Sequence, residues 1–284
     1  MIRIKVPATS ANIGPGFDVF GMALDLYNEF VFEDSDDFGG DNLVYEAYKY
    51  TFDKYEKNAE PVDIEIITNI PIARGLGSSS TCIVAGIAAA LLKIEGEIDR
   101  ERVLEIATEI EGHPDNVAPA IFGSLVTSVI DSDRIFYNIN NPHSDLGFVA
   151  IIPDFELSTK KAREILPESV SREDSIFNTS RSCLLIPALE KLDEEMIKAC
   201  LKDRLHEPYR KSLIKGYGDI ESEADRVGAI GTYLSGAGPT IISIYNKLEK
   251  DIPESIKSFA NKNFPGWEIK SLNLDTEGIQ YTEG

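Results

Sequence analysis

The sequence predicts an α+β fold, in which strands and helices are mixed along the chain. Three observations predict it: short runs that alternate apolar and polar residues, longer runs with apolar residues at helical spacing, and no regular strand–helix–strand repetition. The 284 residues, 43% of them hydrophobic and 27% charged, suffice for a sizeable core in one or two domains. We place a boundary near residue 146, which divides the chain into residues 1–146 and 147–284.

The first half of the chain is predicted to hold strands and helices in turn. The alternating segment "IRIKV" predicts a strand that ends at Pro7. The loop that follows, "PATSANIGPGFD", has Gly14, Pro15 and Gly16 as turn formers. The remaining elements are strands at "LYNEFVFE" and "VDIEIIT" and helices at 43–58, 79–93 and 99–111.

Three strands then follow in close succession across the boundary, "SLVTSVI", "RIFYNI" and "GFVAII", as in an antiparallel sheet. After Pro153 the chain becomes more charged and predicts helices at 173–190, 193–202 and 207–227. The segment "GAIGTYLSGAGPTIISIYN" predicts a strand, a second glycine-rich turn and another strand. The tail predicts one helix and a last strand, "WEIKSLNL".

Charge and cysteine content exclude several function classes. A formal charge of −20 disfavours binding to nucleic-acid backbones and to anionic membranes. Cys82, Cys183 and Cys200 lie far apart without CxxC spacing, which indicates neither a zinc site nor a disulfide framework. The first residues show no apolar signal-peptide core, and the longest apolar run is shorter than a bilayer crossing. We therefore expect a cytoplasmic protein that contacts neither nucleic acid nor membrane.

The segment "ARGLGSSST" at residues 73–81 comes directly before the uncharged run "CIVAGIAAALL". Gly75 and Gly77 can take positive φ, so that successive backbone N–H groups converge on an anion. Ser78 is a good N-cap for the helix that follows, and the positive end of the helix dipole would face the loop. These features together favour a local phosphate site.

The three serines of this segment add hydroxyl groups. Ser78, Ser79 and Ser80 can reach a phosphate or a magnesium ion, which prefers hard oxygen ligands. The segment contains neither a Gly-Lys-Ser or Gly-Lys-Thr loop nor a GxGxxG spacing. From the residues alone, the segment is therefore either a phosphate site or an ordinary connection before a buried helix.

The helix predicted at 99–111 carries a glutamate on its apolar side. At about 100° per residue, Glu111 falls between Ala107 and Leu104, whereas Glu105 and Glu109 point into water. A carboxylate on the apolar side is costly unless a cation or hydrogen-bond donors compensate it. Glu111 is therefore either a magnesium ligand or the end of a frayed turn that bends out to solvent.

The stretch "GHPDNVAPAIFG" follows Glu111 and brings His113, Asp115 and Asn116 into a tight turn. A single histidine is more often structural than catalytic, and an Asp-Asn pair often caps a helix. Beside a glutamate on the apolar face, three further polar groups indicate a pocket.

Six segments together carry a resemblance to a known family and appear in that family's order between residues 7 and 240. They are "PATSANIGPGFDVFG", "PIARGLGSSST", "EGHPDNVAPAIFG", "STKKAR", "RLHEPYR" and "LSGAGPT". This set resembles the signature segments of homoserine kinases, members of the GHMP small-molecule kinase superfamily. The glycine-serine loop alone would indicate only a small-molecule kinase.

The resemblance implies a fold and a reaction. The N-terminal domain would resemble domain 2 of ribosomal protein S5, and the C-terminal domain would be ferredoxin-like, with ATP and substrate in the cleft between them. The reaction would be transfer of the ATP γ-phosphate to the side-chain hydroxyl of L-homoserine, on the route to threonine, with Mg²⁺ as cofactor. The family also makes a homodimer a reasonable expectation.

Roles for individual residues follow from the matching motifs. On the substrate side, the resemblance implies that Asn12 and Asp18 contact homoserine and that Thr159 approaches its hydroxyl. Arg163 and Arg210 would grip the α-carboxylate with their guanidinium forks, although the residues alone suggest solvated surface arginines. The other substrate contacts are His113, Asn116 and Gly236, and the nucleotide contacts are Asn42, near the adenine, with Arg74, Gly75, Leu76, Gly77, Ser78, Ser79 and Ser80.

Ser79 and a glutamate would hold the magnesium ion. Longer relatives have extra residues between this glutamate and the histidine, which leaves Glu111 and Glu105 as candidates, and the helical wheel favours Glu111. For catalysis we expect positioning by Asn116 and Asp18, with charge neutralised by magnesium and the loop dipole, because phosphoryl transfer needs alignment more than a strong base. A base role for Asp115 is the alternative. Rival functions are another GHMP kinase, acting on mevalonate or shikimate, and a non-catalytic sensor of ATP and a metabolite.

Overall fold

The computed structural model describes residues 1–36, 40–132, 134–249 and 251–284, and its helices and strands confirm the α+β class. The strands are β1 (Ile2–Ala11), β2 (Phe20–Asp34), β3 (Val62–Ile67), β4 (Leu125–Asp131), β5 (Arg134–Asn140), β6 (Leu146–Ile152), β7 (Gly231–Leu234), β8 (Ile241–Asn246), β9 (Glu268–Leu272) and β10 (Gln280–Glu283). The helices are α1 (Leu43–Lys54), α2 (Ser78–Glu95), α3 (Arg100–Glu111), α4 (Val117–Phe122), α5 (Thr159–Glu164), α6 (Arg172–Lys191), α7 (Glu194–Cys200), α8 (Glu207–Arg210), α9 (Tyr217–Val227) and α10 (Asp251–Asn263).

The first sheet has the strand order β10-β1-β2-β4-β5, with β3 also paired to β2, and its strand pairs are antiparallel. Helices α2 and α4 pack on this sheet, and α1 and α3 flank α2. The core between them contains Val84, Ile87 and Leu91 of α2. The uncharged run in the sequence is therefore the central helix of this core, buried on nearly every side.

Helix α2 has the length and composition of a membrane span, with a mean hydropathy of 1.3 over its 18 residues. However, 67% of it is buried inside the protein. Packing within the core accounts for its apolar character.

Strand β1 does not end at Pro7, as the sequence predicted, but continues to Ala11. Its register against β2 shifts between Pro7 and Ala8. Proline has no N–H to donate to a ladder, so an irregularity at this point lets the strand continue past it. The extension carries the chain directly into the loop that holds Asn12.

The second sheet has the order β7-β8-β6-β9 and is also antiparallel. Strand β6 is buried on both faces. Its Phe148 and Ala150 join a core that includes α6, α7 and Met22 of the first sheet, whereas Val149 and Ile151 face α9 and α10. The shared core fixes the two sheets relative to each other, which matters for a site built from both.

Some predicted elements differ from the structure. Strands β4 and β5 pair as predicted, but β6 belongs to the second sheet. The helix predicted at 207–227 is divided into α8, a 3₁₀ turn at Lys211–Leu213, and α9. The break lies at Gly216, whose φ of 96° is outside helical geometry. Short α4 and α5 were not predicted.

The predicted boundary near residue 146 falls at the start of β6, just after the chain passes from the first sheet to the second. Strand β10, which was not predicted, returns to the first sheet and pairs with β1. The residues after 147 therefore do not all lie in the second sheet, and the division into two domains stays a prediction.

Candidate active site

A cleft of about 580 Å³ is lined by residues from both halves of the chain. Its walls are the connection from β3 to α2, the end of α3 with the turn that follows it, the start of α5, Arg210, and the turn between β7 and β8. These are the segments in which the sequence placed the candidate residues. The fold therefore brings most of them into one space.

The glycine-serine segment forms the start of α2 at one wall of this cleft. Gly75 and Gly77 have φ values of 79° and 67°. The predicted N-cap role of Ser78 is wrong, because Gly77 occupies the N-cap position and Ser78 is the first helical residue. A side chain at Gly77 would overlap Thr9 Oγ1, so only glycine fits there.

The hydrogen bonds of this helix begin at Thr81, whose N–H donates to the Gly77 carbonyl at 3.0 Å. The amides of residues 78–80 precede it, in the first turn of a helix, where amides have no partner within the helix. A glycine cap also leaves these amides uncovered by a capping side chain. The helix start is therefore suited to a phosphate.

Three nucleotide-side candidates are held differently from what the sequence suggested. The Arg74 guanidinium lines the cleft but donates to the carbonyls of Pro153 and Asp154 at 3.1 and 3.2 Å, which ties the loop to the connection after β6. Leu76 is fully buried in the core, so it offers only its backbone. The Asn42 carboxamide caps α1 by accepting from an N–H of that helix at 3.0 Å.

The fold distinguishes between Glu111 and Glu105 as candidate magnesium ligands. Glu111 lines the cleft, and its pKa is raised, mainly by burial. Glu105 is exposed and pairs with Arg102 at 2.7 Å on the surface. Ser79 lines the same cleft as Glu111.

The donors at this wall fit magnesium as part of a nucleotide complex. Among the described residues, no group of three or more His, Cys, Asp and Glu side chains could hold a metal ion. Ser79 and Glu111 would therefore supply two hard oxygen ligands, and phosphate oxygens or water would supply the others. A cation there would also compensate the burial of the Glu111 carboxylate.

His113, Asp115 and Asn116 all line the cleft, but they are not equivalent. His113 Nδ1 donates to Asp115 Oδ1 at 2.6 Å, and this hydrogen bond raises the pKa of the imidazole. Asp115 is only 1% exposed, so its carboxylate is committed to orienting the histidine. Asn116 Oδ1 accepts from Thr9 Oγ1 at 2.8 Å, a contact that the sequence did not indicate.

Asn12 and Asp18 are joined by a hydrogen bond across the loop between β1 and β2. The Asp18 N–H donates to Asn12 Oδ1 at 2.8 Å. Both residues have positive φ, 60° and 55°, which is uncommon for residues other than glycine. Backbone strain of this kind is often found at functional sites.

Asp18 is paired with Arg163 in a bidentate ion pair. Arg163 Nη2 donates to Asp18 Oδ1 at 2.8 Å, and Nη1 donates to Oδ2 at 3.0 Å. Both side chains remain about one-third exposed. The pair is therefore accessible to a ligand that carries charges of both signs.

Arg210 is only 1% exposed, which corrects the interpretation as a surface arginine. Its Nε and Nη1 donate to the carbonyls of Ala162 and Gly236, both at 3.1 Å. Burial lowers the pKa of Arg210 to about 10, so it remains charged at neutral pH. Of the described carboxylates, none lies within ion-pair distance of it.

Thr159 and Gly236 line the cleft, whereas Asp18 is not among its lining residues and joins the site through its ion pair with Arg163. Thr159 is the first residue of α5 and is exposed there, and Gly236 begins the turn between β7 and β8. Phe17, which sequence reasoning missed, lies close to both arginines, with its ring centroid 5.0 Å from Arg210 Cζ and 5.6 Å from Arg163 Cζ. Its position in the "GPGFD" turn was the available signal.

Comparison with protein families gives two matches along the chain. Residues 42–124 match the GHMP kinases N terminal domain, and residues 185–266 match the GHMP kinases C terminal domain. The cleft residues between 74 and 116 lie inside the first match.

Curated relatives match over the whole chain. A homoserine kinase of Clostridium botulinum (strain Alaska E43 / Type E3) is 42% identical, with 100% of this chain and 99% of that protein covered. A homoserine kinase of Clostridium beijerinckii is 40% identical, with the same coverage of both chains.

Solved structures agree with the fold. The crystal structure of homoserine kinase from Cytophaga hutchinsonii has a TM-score of 0.88 and 27% identity, covering 99% of this chain and 97% of that one. Methanococcus jannaschii mevalonate kinase has a TM-score of 0.73 at 16% identity, covering 96% and 98%, which supports the fold alone. The chain therefore belongs to the GHMP kinase family.

Proposed function

We propose that this protein is an ATP-dependent homoserine kinase, which transfers the γ-phosphate of ATP to the side-chain hydroxyl of L-homoserine and gives O-phospho-L-homoserine. The observation that carries the proposal is the buried guanidinium of Arg210. This residue lines the same cleft as the glycine-serine loop. A buried guanidinium without a carboxylate partner favours an anionic ligand group. Full-length relatives with this activity in their name support the same substrate.

The substrate α-carboxylate would bind to Arg210 and Arg163, and its ammonium would bind to Asp18 and Asn12. Arg163 and Asp18 are already paired, so a zwitterionic amino acid can join the pair with each charge beside its opposite. Both guanidinium groups lie within cation–π distance of the Phe17 ring, which supports placing them at one binding region. Mevalonate and shikimate have a carboxylate but no ammonium, so they match only half of this arrangement.

The nucleotide phosphates would lie against the start of α2, where Ser78, Ser79 and Ser80 line the cleft and would offer their first-turn amides and hydroxyl groups. Leu43, Ile66 and Cys82 line the same space and offer an apolar surface for the adenine. Asn42, which precedes Leu43 in the chain, would lie at the edge of the adenine.

Ser79 and Glu111 would hold Mg²⁺ with the phosphates. The ion would offset the charge of the β- and γ-phosphates during transfer. The residues of the chain supply alignment: Asn116, His113 and Thr159 would orient the hydroxyl of homoserine toward the γ-phosphorus.

During transfer, the hydroxyl oxygen forms a bond to phosphorus, the bond between the γ-phosphorus and the bridging oxygen breaks, and ADP leaves. The hydroxyl proton passes to the transferred phosphate or to water, since a loose transition state needs no strong base. Asp115 already accepts from His113 at 2.6 Å, which supports an orienting role for it.

Two further predictions from the sequence stay proposals, a cytoplasmic location and a homodimer. The strand β5 lies at the end of the first sheet, and its Phe136 and Ile139 are 45% and 41% exposed. The exposed apolar side chains of this edge strand would form the contact with a second copy. Light scattering on the purified protein would give the oligomeric state directly.

A coupled assay of ADP release, with ATP and magnesium, tests the proposed function. We expect turnover with L-homoserine well above that with L-threonine, L-serine, mevalonate or shikimate. Higher turnover with mevalonate or shikimate would instead assign another GHMP kinase activity. Saturable ATP binding without turnover of any alcohol would favour the sensor.

A further inference from the structure

A chain of buried hydroxyl groups connects the nucleotide loop with the second sheet. The Ser235 hydroxyl donates its one proton to the Gly75 carbonyl at 2.6 Å and therefore accepts from the Ser10 hydroxyl, whose Oγ lies 2.8 Å away. Ser10 Oγ in turn accepts from the hydroxyl of Tyr233 at 3.0 Å. The side chains of Ser10, Tyr233 and Ser235 are fully buried, each at 0% exposure.

The same turn between β7 and β8 holds the nucleotide loop at a second point. The Thr240 N–H donates to the Arg74 carbonyl at 3.1 Å, so two consecutive carbonyls of the loop are bound. A side chain at Gly75 would overlap the Ser235 carbonyl, which shows how closely the two backbones approach. Because a peptide unit is planar, fixing a carbonyl also fixes the direction of the amide that follows it.

On its other side, this turn contacts the proposed substrate site. The Gly236 carbonyl accepts from Arg210 Nη1 at 3.1 Å, and the Gly236 N–H donates to the Ala11 carbonyl at 2.8 Å. Ser235 therefore contacts the phosphate loop, and the next residue, Gly236, contacts the buried guanidinium of Arg210. The turn sets the distance between the two binding regions.

We propose that Ser235 is a positioning residue for phosphoryl transfer, which holds the Gly75 peptide in the conformation that receives the phosphates, with Ser10 and Tyr233 holding Ser235 in turn. The proposal rests on the proposed kinase function for its catalytic consequence but not for its effect on ATP binding. Small errors in the alignment of reacting groups lower the rate of transfer reactions strongly.

The test compares Ser235→Ala with a matched control in the same sheet, Ser243→Ala. Ser243 is also fully buried, and its hydroxyl bonds to Thr232 Oγ1 at 3.0 Å, a contact with no link to the nucleotide loop. Ser235→Ala should raise the ATP dissociation constant about five- to tenfold, the loss expected for one hydrogen bond, and should lower kcat as well. Ser243→Ala should leave both values unchanged.

The binding measurement uses ATP with magnesium on the full chain, by calorimetry, in the absence of homoserine. Failure of the proposed function would appear as missing turnover in the unaltered protein, whereas failure of this inference would appear as equal ATP affinity in all three proteins. Equal losses in both variants would also overturn it, because they would indicate a general effect of sheet stability.

If Ser235→Ala does not fold, Tyr233→Phe provides the test, because it removes only the far hydroxyl and keeps the ring packed. We expect a two- to threefold rise in the ATP dissociation constant for this variant. An unchanged constant in a folded Tyr233→Phe protein would overturn the proposed chain.

Discussion

The two sides of the cleft present charge in different ways. On the nucleotide side, residues 75–80 have no charged side chain, and the cleft is lined by glycine, serine and the start of α2. On the substrate side, Asp18, Arg163 and Arg210 carry full charges, two of them as a bidentate pair. A phosphate chain can thus be bound by backbone amides, whereas a small zwitterion needs side chains of both signs.

This difference predicts which substitutions should impair each side of the cleft. Backbone amides need only a particular loop conformation, which the glycines and their neighbours provide. A buried guanidinium must be supported by its surroundings, and Arg210 takes its support from two carbonyls and the ring of Phe17. We therefore expect side-chain changes to dominate on the substrate side and backbone changes on the nucleotide side.

The largest effect is expected for Arg210→Ala. Loss of the charged contact to the carboxylate should lower kcat/KM for homoserine about 100- to 1000-fold, with little change in the KM for ATP. Arg226→Ala is the control, because Arg226 pairs with Glu223 on the surface at 2.6 Å, away from the cleft. A large rise in the KM for ATP in Arg210→Ala would contradict the division between the two sides.

The next largest effect is expected for Gly77→Ala, which tests the backbone side. Its Cβ would overlap Thr9 Oγ1 and the residue has a φ of 67°, so the KM for ATP should rise about 10- to 100-fold. Gly96→Ala at the other end of the same helix has a φ of 81° but no atom within 4 Å of its Cβ. This control has the backbone strain without the overlap, and an equal rise in both variants would refute the prediction.

A smaller effect is expected for Glu111→Gln. Removing the carboxylate charge should raise the magnesium concentration needed for half-maximal activity about tenfold, the result of one lost ligand charge. Glu105→Gln, in an exposed ion pair with Arg102, should leave it unchanged. The reverse result would assign the metal to Glu105.

The smallest expected effect concerns stability. His206 is fully buried and stacks on Phe17 at 5.2 Å, and burial lowers its pKa to about 4. A group with a depressed pKa in the folded state contributes stability above its unfolded pKa and loses it as pH falls, so acidification favours unfolding. Between pH 6.5 and 5.5 we expect a loss of about 1 kcal/mol in the free energy of unfolding from this residue.

Urea denaturation at the two pH values measures this loss, and His206→Gln serves as the comparison because glutamine does not titrate. The difference between the two proteins should grow smaller as the pH falls. A pH dependence that is identical in both would contradict the role of His206.

Much of the fold and of the site could be predicted from the sequence. The periodicity of apolar residues predicted the α+β class and the main helices. The helical-wheel calculation placed Glu111 on the apolar side of α3, and Glu111 lines the cleft. Both are local patterns, which depend on neighbours within a few positions. The six motif segments further brought distant residues together, because the resemblance already carried that information.

What the sequence could not provide depends on distant partners. Arg210 donates to the carbonyls of Ala162 and Gly236, and Asp18 pairs with a residue 145 positions away. The prediction of Ser78 as the N-cap was wrong because Gly77 takes that position, packed closely against Thr9 of another strand. Such contacts are fixed by tertiary packing, which no local pattern records.

The most direct test of the central claim measures kcat/KM for L-homoserine and for 3-aminopropan-1-ol, its analogue without the carboxylate, in the unaltered protein and in Arg210→Ala. We expect the unaltered protein to prefer homoserine by about 100-fold or more and Arg210→Ala to lose most of that preference, since the charge that reads the carboxylate is gone. If Arg210→Ala kept the full preference, Arg210 would not recognise the carboxylate and the account of the substrate side would be wrong.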